Sequence, residues 1–277
     1  MRFRRSPLTS KILTAVVVVA AFAGLALSGA AVRADGLQPT VKHLKVEKPQ
    51  RVLFMGNSYL YYNDSLHNHV RRMVAASGIY GMKDLKYKSA TISGGMLFDH
   101  DIDSYLTPGK LRVKDPFQVV VMQGFSAAAT KKGHPPKFAK TVAEFAKKIT
   151  AAGGEPALYM THAYAKNHKK YDPEMIRAIE KLYVETGNAT GALVIPVGLA
   201  FEEALKRKPD LQLQQSYDGS HPVLDGTYLA ACVVFESLYG VSPVGNSYDY
   251  FGKVDKEMAK FLQTVAHDTV QKFYGRK

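Results

Sequence analysis

The sequence predicts a single α/β domain, a mostly parallel sheet with helices on both faces. Three observations predict it. Short apolar runs alternate with longer segments of helical periodicity through most of the chain. The first of these runs, Val52 to Met55, is continuously apolar, as a strand covered on both faces should be. No internal repeat, low-complexity tract or long linker divides residues 35–277, and α/β domains of this length are common as single units.

The amino terminus stands outside this pattern. Arg2, Arg4, Arg5 and Lys11 precede an apolar run from Ile12 to about Leu27, and Val32-Arg33-Ala34 ends it with a small-x-small motif. A basic start, an apolar centre and such an end mark a secretory signal peptide, so residues 1–34 are expected to be removed after Ala34. An uncleaved membrane anchor is the alternative, since the run is near the lower length limit for a spanning helix. Cleavage would leave no stable membrane insertion and a periplasmic or extracellular protein of residues 35–277.

A polar lead runs from Asp35 to Pro49, and the elements follow. Strands are expected at Arg51–Met55, Leu85–Thr91, Phe117–Gln123, Ala157–Thr161 and Ala192–Val197. Helices are expected near 64–77, 137–151, 174–187, 199–207, 225–239 and 254–273. In the first helix Leu66, Val70, Met73 and Val74 share a face, and Asp64 is placed to cap it. Asp225 is placed to cap the helix near 225–239, which holds the chain's one cysteine, Cys232. One cysteine makes no internal disulfide, so an exported chain of this kind relies on its core, and Cys232 reads as a small buried hydrophobe.

The net charge of +13 comes from 37 basic and 24 acidic residues. Residues 1–34 carry five basic residues and no acid, leaving about +8 on the remainder. The lysine pairs Lys131-Lys132, Lys147-Lys148 and Lys169-Lys170 are scattered, and no basic stripe with aromatic platforms emerges. Nucleic-acid binding is therefore not expected. A basic exported protein suits anionic envelope surfaces or polymers instead.

Four segments carry the chemistry, each at a strand's carboxyl end or before a late helix, where open α/β sheets place their ligands. Gly56-Asn57-Ser58 ends the first strand, so Ser58 sits between strand and helix as a serine nucleophile would. Ser93-Gly94-Gly95 follows the second strand, and its glycines let backbone amides approach a ligand closely. Gln123 ends the third strand and brings an amide side chain to the same edge. Fixed N–H donors of this kind can form an oxyanion hole. Asp218-Gly219-Ser220-His221-Pro222 places an acid three residues before a histidine. Asp218 can there accept the Nδ1 proton of His221 and turn Nε2 toward a serine. Pro222 holds His221 extended in a loop.

Together these segments, from Arg51 to roughly Pro243, resemble the SGNH/GDSL hydrolase superfamily. Asp218-Gly219-Ser220-His221-Pro222, followed by Gly226-Thr227-Tyr228-Leu229-Ala230-Ala231-Cys232, is similar to one exported bacterial branch. The resemblance implies a three-layer α/β/α, flavodoxin-like fold with a five-stranded sheet, and carboxylic ester hydrolysis. It implies Ser58 as nucleophile, His221 as general base and acid, and Asp218 as the carboxylate that orients it. The oxyanion hole would use the amides of Ser58 and Gly94, with Gly95 as the alternative, and a side-chain donor from Gln123. The sequence departs from the family's pattern twice: Asn57 stands where many members have Asp, and Gln123 where the third block usually presents Asn. Ser58 is not in the Gly-x-Ser-x-Gly elbow of α/β-hydrolases, and acid and histidine here are nearly adjacent.

Asn57, Tyr59, Gly95 and His162 are candidates for a substrate pocket, and Tyr61 and Tyr62 lie beside them. His67 and His69, two apart on a helix, face different directions, and no metal-ligand set of recognised spacing occurs. No cofactor is expected. The expected substrate is a small-molecule or glycan ester, with short acyl groups, acetyl foremost, on carbohydrate following from the resemblance and from export. Two other readings stay open: a non-catalytic glycan-binding protein of the same fold, and an acyltransferase using the same triad.

Overall fold

The computed structural model describes Met1 and residues 37–276 of the chain. The expected signal peptide therefore lies outside the described residues. Gly36–Lys277 forms one compact unit. Its strands are β1 (Arg51–Gly56), β2 (Lys86–Thr91), β3 (Val119–Gln123), β4 (Glu155–Tyr159) and β5 (Leu193–Ile195). All pair in parallel, in the order β2-β1-β3-β4-β5. In the central ladder Phe54 of β1 lies beside Ser89 of β2 and Val121 of β3.

Strand order explains the layers. Moving from β1 to β2 and then back to β3 reverses direction across the sheet, while crossovers keep one hand. Helix α2 (Leu66–Ala76), between β1 and β2, therefore lies on one face. Helices α4 (His134–Ala151) and α5 (Met175–Thr190), after β3 and β4, lie on the other and pack on each other. The carboxyl-terminal helices α7 (Leu224–Tyr239) and α8 (Lys256–Tyr274) pack together, with α2 against α7, and complete the first layer. Helix α6 (Val197–Arg207) contacts both α5 and α7. The result is the expected three-layer α/β/α sandwich on a five-stranded sheet.

Burial follows position in the sheet. Val52–Met55 and Val119–Met122 have no exposed surface, because β1 and β3 are covered on both faces. Strand β2 is an edge and buries mainly Tyr87 and Ala90, with Lys86 exposed. At the opposite edge the Tyr274 hydroxyl of α8 donates to the Val194 carbonyl at 2.9 Å. Helix α7 is buried from Gly226 to Tyr239, as an all-round apolar helix must be, and Cys232 inside it is a free thiol.

Most differences from the expected elements are at their ends. Ser65, not Asp64, occupies the N-cap of α2, and Asp225 lies inside the first turn of α7 behind Val223. Helix α4 begins at His134, earlier than expected, because Pro135 and Pro136 suit a first turn whose N–H groups need no partner. Two short helices, α1 (Ser58–Tyr61) and α3 (Ile102–Leu106), span less than a window in which periodicity can be read.

Candidate active site

Strand order reverses between β1 and β3, and the crevice above that point is where doubly wound sheets hold ligands. Ser58 stands there. Asn57 ends the strand as N-cap of α1, its Oδ1 accepting the Tyr59 N–H at 3.2 Å. Ser58 is the first residue of that helix, so its N–H belongs to a turn without intrahelical acceptors. Among the described residues no acceptor faces the Ser58 N–H.

The loop between α6 and α7 brings the other two groups. His221 Nε2 lies 2.8 Å from Ser58 Oγ, and His221 Nδ1 lies 2.5 Å from Asp218 Oδ2. Asp218 Oδ1 accepts the backbone N–H groups of Ser220 (2.8 Å) and His221 (3.1 Å), closing a tight turn around the carboxylate. Burial raises the carboxyl pKa, but the His221 side chain and these two N–H groups outweigh it and hold it below the usual carboxylate value. Asp218 is thus an anion beside Nδ1, which must carry the proton there. Nε2 is left to accept from Ser58.

The two glycines of the turn after β2 differ in what their N–H groups meet. Gly95 N–H donates to the Ile92 carbonyl at 3.0 Å and is spent. Gly94 precedes it with φ +65, is exposed, and its N–H meets no acceptor among the described residues. The Asn57 side chain binds the two turns together, its Nδ2 donating to the Gly95 carbonyl at 3.0 Å. Asn57 is 3% exposed and therefore belongs to the frame, not to an open pocket.

Gln123 is placed differently from the sequence expectation. Its Oε1 accepts the Asn57 N–H at 2.9 Å, its Nε2 donates to the Gly124 carbonyl, and the residue is 1% exposed. Because Asn57 N–H can only donate, the amide must present oxygen to it. The side chain lies under the Ser58 turn, with neither amide atom facing an open cleft. Gly56 is required beside it, since a Cβ there would stand 2.4 Å from Gln123 Oε1.

Tyr59 and His162 also lie inside the protein, 4% and 0% exposed, and so do not line a pocket mouth. They form a column of rings beneath the base loop: Phe201 on His162 at 4.3 Å, His162 on Tyr59 at 4.4 Å. Tyr62, already placed beside the pocket candidates by the sequence, contacts His221, and Asn63, not singled out there, ties Pro222, the residue that follows it. The Tyr62 ring stacks on the imidazole at 4.4 Å, and its hydroxyl lies 3.4 Å from that of Tyr217. Asn63 Nδ2 donates to the Pro222 carbonyl at 3.0 Å and to Thr227 Oγ1 at 2.8 Å. Asn63, Asp64 and Ser65 all have positive φ, a costly run for residues with side chains, held at the exit of the Ser58 helix. Only a strained turn links these residues to the sequence, and no motif encodes it.

No protein-family model matches the sequence, and no curated protein matches it. Solved structures do. A DUF4886 family protein from Bacteroides uniformis superposes with TM-score 0.63 at 19% identity, covering 82% of this chain and 96% of its own. A candidate SGNH hydrolase from Slackia heliotrinireducens gives TM-score 0.56 at 23% identity, covering 69% and 99%. The chain has the SGNH-hydrolase fold. A catalytic mutant of an acetylxylan esterase from Geobacillus stearothermophilus shares it too, with TM-score 0.55 at 14% identity over 72% of this chain and 98% of the other. Ser58, Gly94, Gln123 and His221 stand on the carboxyl edge of this SGNH-type sheet, at the ends of β1, β2 and β3 and in the loop before α7.

Proposed function

We propose that this chain is an exported serine esterase that cleaves short-acyl esters, acetyl groups on carbohydrate first among them. The observation that carries the reading is the unbroken relay from Ser58 Oγ to His221 Nε2 and from His221 Nδ1 to Asp218. Such an arrangement lets the imidazole take the serine proton as oxygen attacks a carbonyl.

In this mechanism Ser58 Oγ bonds to the ester carbonyl carbon while its proton passes to His221 Nε2. The carbonyl oxygen becomes an oxyanion, met by the N–H groups of Ser58 and Gly94. The C–O bond to the alcohol then breaks, His221 returns the proton to the departing oxygen, and an acyl-Ser58 ester remains. Water repeats the sequence through the same imidazole and releases the acid. Asp218 stays ionised throughout, holding the tautomer and facing the imidazolium. Gln123 acts from below, fixing the Asn57 N–H and so the direction of the Ser58 turn.

Two acetylxylan esterases and a lipase/acylhydrolase share this fold, which supports ester hydrolysis by analogy, and the two acetylxylan esterases support a short acyl group. Tyr62 stacks on His221 and its hydroxyl meets that of the exposed Tyr217, and rings of this kind suit the C–H face of a sugar. The test is p-nitrophenyl acetate turnover by residues 35–277. Wild type should turn over, and Ser58→Ala and His221→Ala should each fall by at least about 10³-fold. Equal, slow hydrolysis by all three would overturn the reading.

A further inference from the structure

The base loop is held from beneath by two buried side chains, His162 and Tyr59. His162 follows β4 and is fully buried. Its Nε2 lies 2.8 Å from the Ser220 carbonyl, which only accepts, so Nε2 carries the hydrogen. Its Nδ1 meets no partner among the described residues, so the ring is the neutral Nε2–H tautomer. Burial agrees, pushing the pKa down to about 4. A buried nitrogen without a partner costs stability, and an apolar ring would fill the same space more cheaply. The retained imidazole therefore needs a reason, and its one polar contact is the residue before His221.

Tyr59 makes the second contact. Its hydroxyl lies 2.7 Å from Ser220 Oγ, and its ring meets the edge of His221 at 5.8 Å and 77°. Tyr59 is the residue after Ser58, and Ser220 the residue before His221. The Tyr59–Ser220 bond therefore joins the neighbours of nucleophile and base directly. His162 stacks on Tyr59 within 7° of parallel and holds the same Ser220 through its carbonyl. Behind the column Phe201 borders a cavity of about 670 Å³. Backbone bonds from Ala165 N–H to the Gly219 carbonyl and from Gln215 N–H to the His221 carbonyl, both 2.8 Å, also tie the loop, and the two bonds to Ser220 hold it at the residue directly before His221.

We propose that His162 and Tyr59 are positioning residues that set the Ser58–His221 separation by gripping Ser220 at its carbonyl and its hydroxyl. The proposal rests on the esterase reading, but one of its readouts does not. His162→Phe keeps the stacked ring and removes the bond to the Ser220 carbonyl. Tyr59→Phe keeps its ring and removes the bond to Ser220 Oγ. In p-nitrophenyl acetate turnover each should lower kcat by about 10- to 100-fold with KM within about twofold, because misplacement by an ångström is that costly. His162→Gln, which can still donate to the carbonyl, should recover part of the loss.

The second readout is the downfield Nδ1–H proton resonance of His221, observed by NMR with no substrate present. It should shift or broaden in both Phe variants while their thermal transitions remain cooperative. If the wild type proves inactive, the esterase reading fails, and this resonance still decides the positioning claim. Unchanged kcat in an active enzyme, or an unmoved resonance in both variants, would overturn the proposal. Should His162→Phe fail to fold, Tyr59→Phe alone decides it by the same two criteria.

Discussion

Gln123 joins polar satisfaction to chemistry at the scale of a single residue. Its Oε1 is the acceptor for the Asn57 N–H, and a shorter amide at the same Cα would not reach as far. Gln123→Leu keeps the volume but leaves the Asn57 N–H buried without a partner. That should cost about 1–3 kcal/mol of stability in urea unfolding. It should also lower kcat, because the Ser58 turn hangs from that N–H. A variant as active and as stable as wild type would show that the turn holds itself. His162 illustrates the limit of reading residues alone. A histidine after a strand reads as a pocket group, and only the fold places it under the base loop.

Among the elements, legibility followed length and burial. Strands β1 and β3 were plain in the sequence because burial on both faces leaves continuous apolar runs, as in Val119–Met122. The long helices were plain because periodicity accumulates over several turns. What escaped was short or encoded through distant contacts. Helix α1 has four residues, and its start is fixed by the Asn57 cap more than by any pattern. The triad candidates were legible because Asp218 and His221 lie three apart and Ser58 ends a strand. The frame around them was not, because Asn57 to Gly95, Asn63 to Pro222 and His162 to Ser220 are bonds between segments far apart in sequence. Close approach of elements adds a further constraint. A Cβ on Gly198 would stand 2.2 Å from the Thr161 carbonyl, so α6 can meet the end of β4 only with glycine there.

For the whole molecule, buried histidines set the response to pH. Burial lowers the pKa of His67 and His162 to about 4, and lowers those of His69 and His100 as well. In the unfolded chain these groups bind protons near pH 6.5, so between pH 6.5 and 4 the unfolded state takes up more protons. Stability should therefore fall as pH drops through that window. At pH 5, His67 and His162 account for about 2 kcal/mol each. Buried Glu236 and half-buried Asp225, with raised pKa values, oppose the trend but are fewer. Urea unfolding at pH 7 and pH 5 should show a loss of a few kcal/mol, and a gain on acidification would contradict this accounting.

The claim that organises the molecule is that Ser58 is a nucleophile activated by His221. Labelling of the intact protein with a fluorophosphonate, followed by peptide mass mapping, tests it directly. One adduct on Ser58 is predicted, abolished by Ser58→Ala and slowed at least about 100-fold by His221→Ala. Absence of an adduct, or an adduct on another serine, would contradict it.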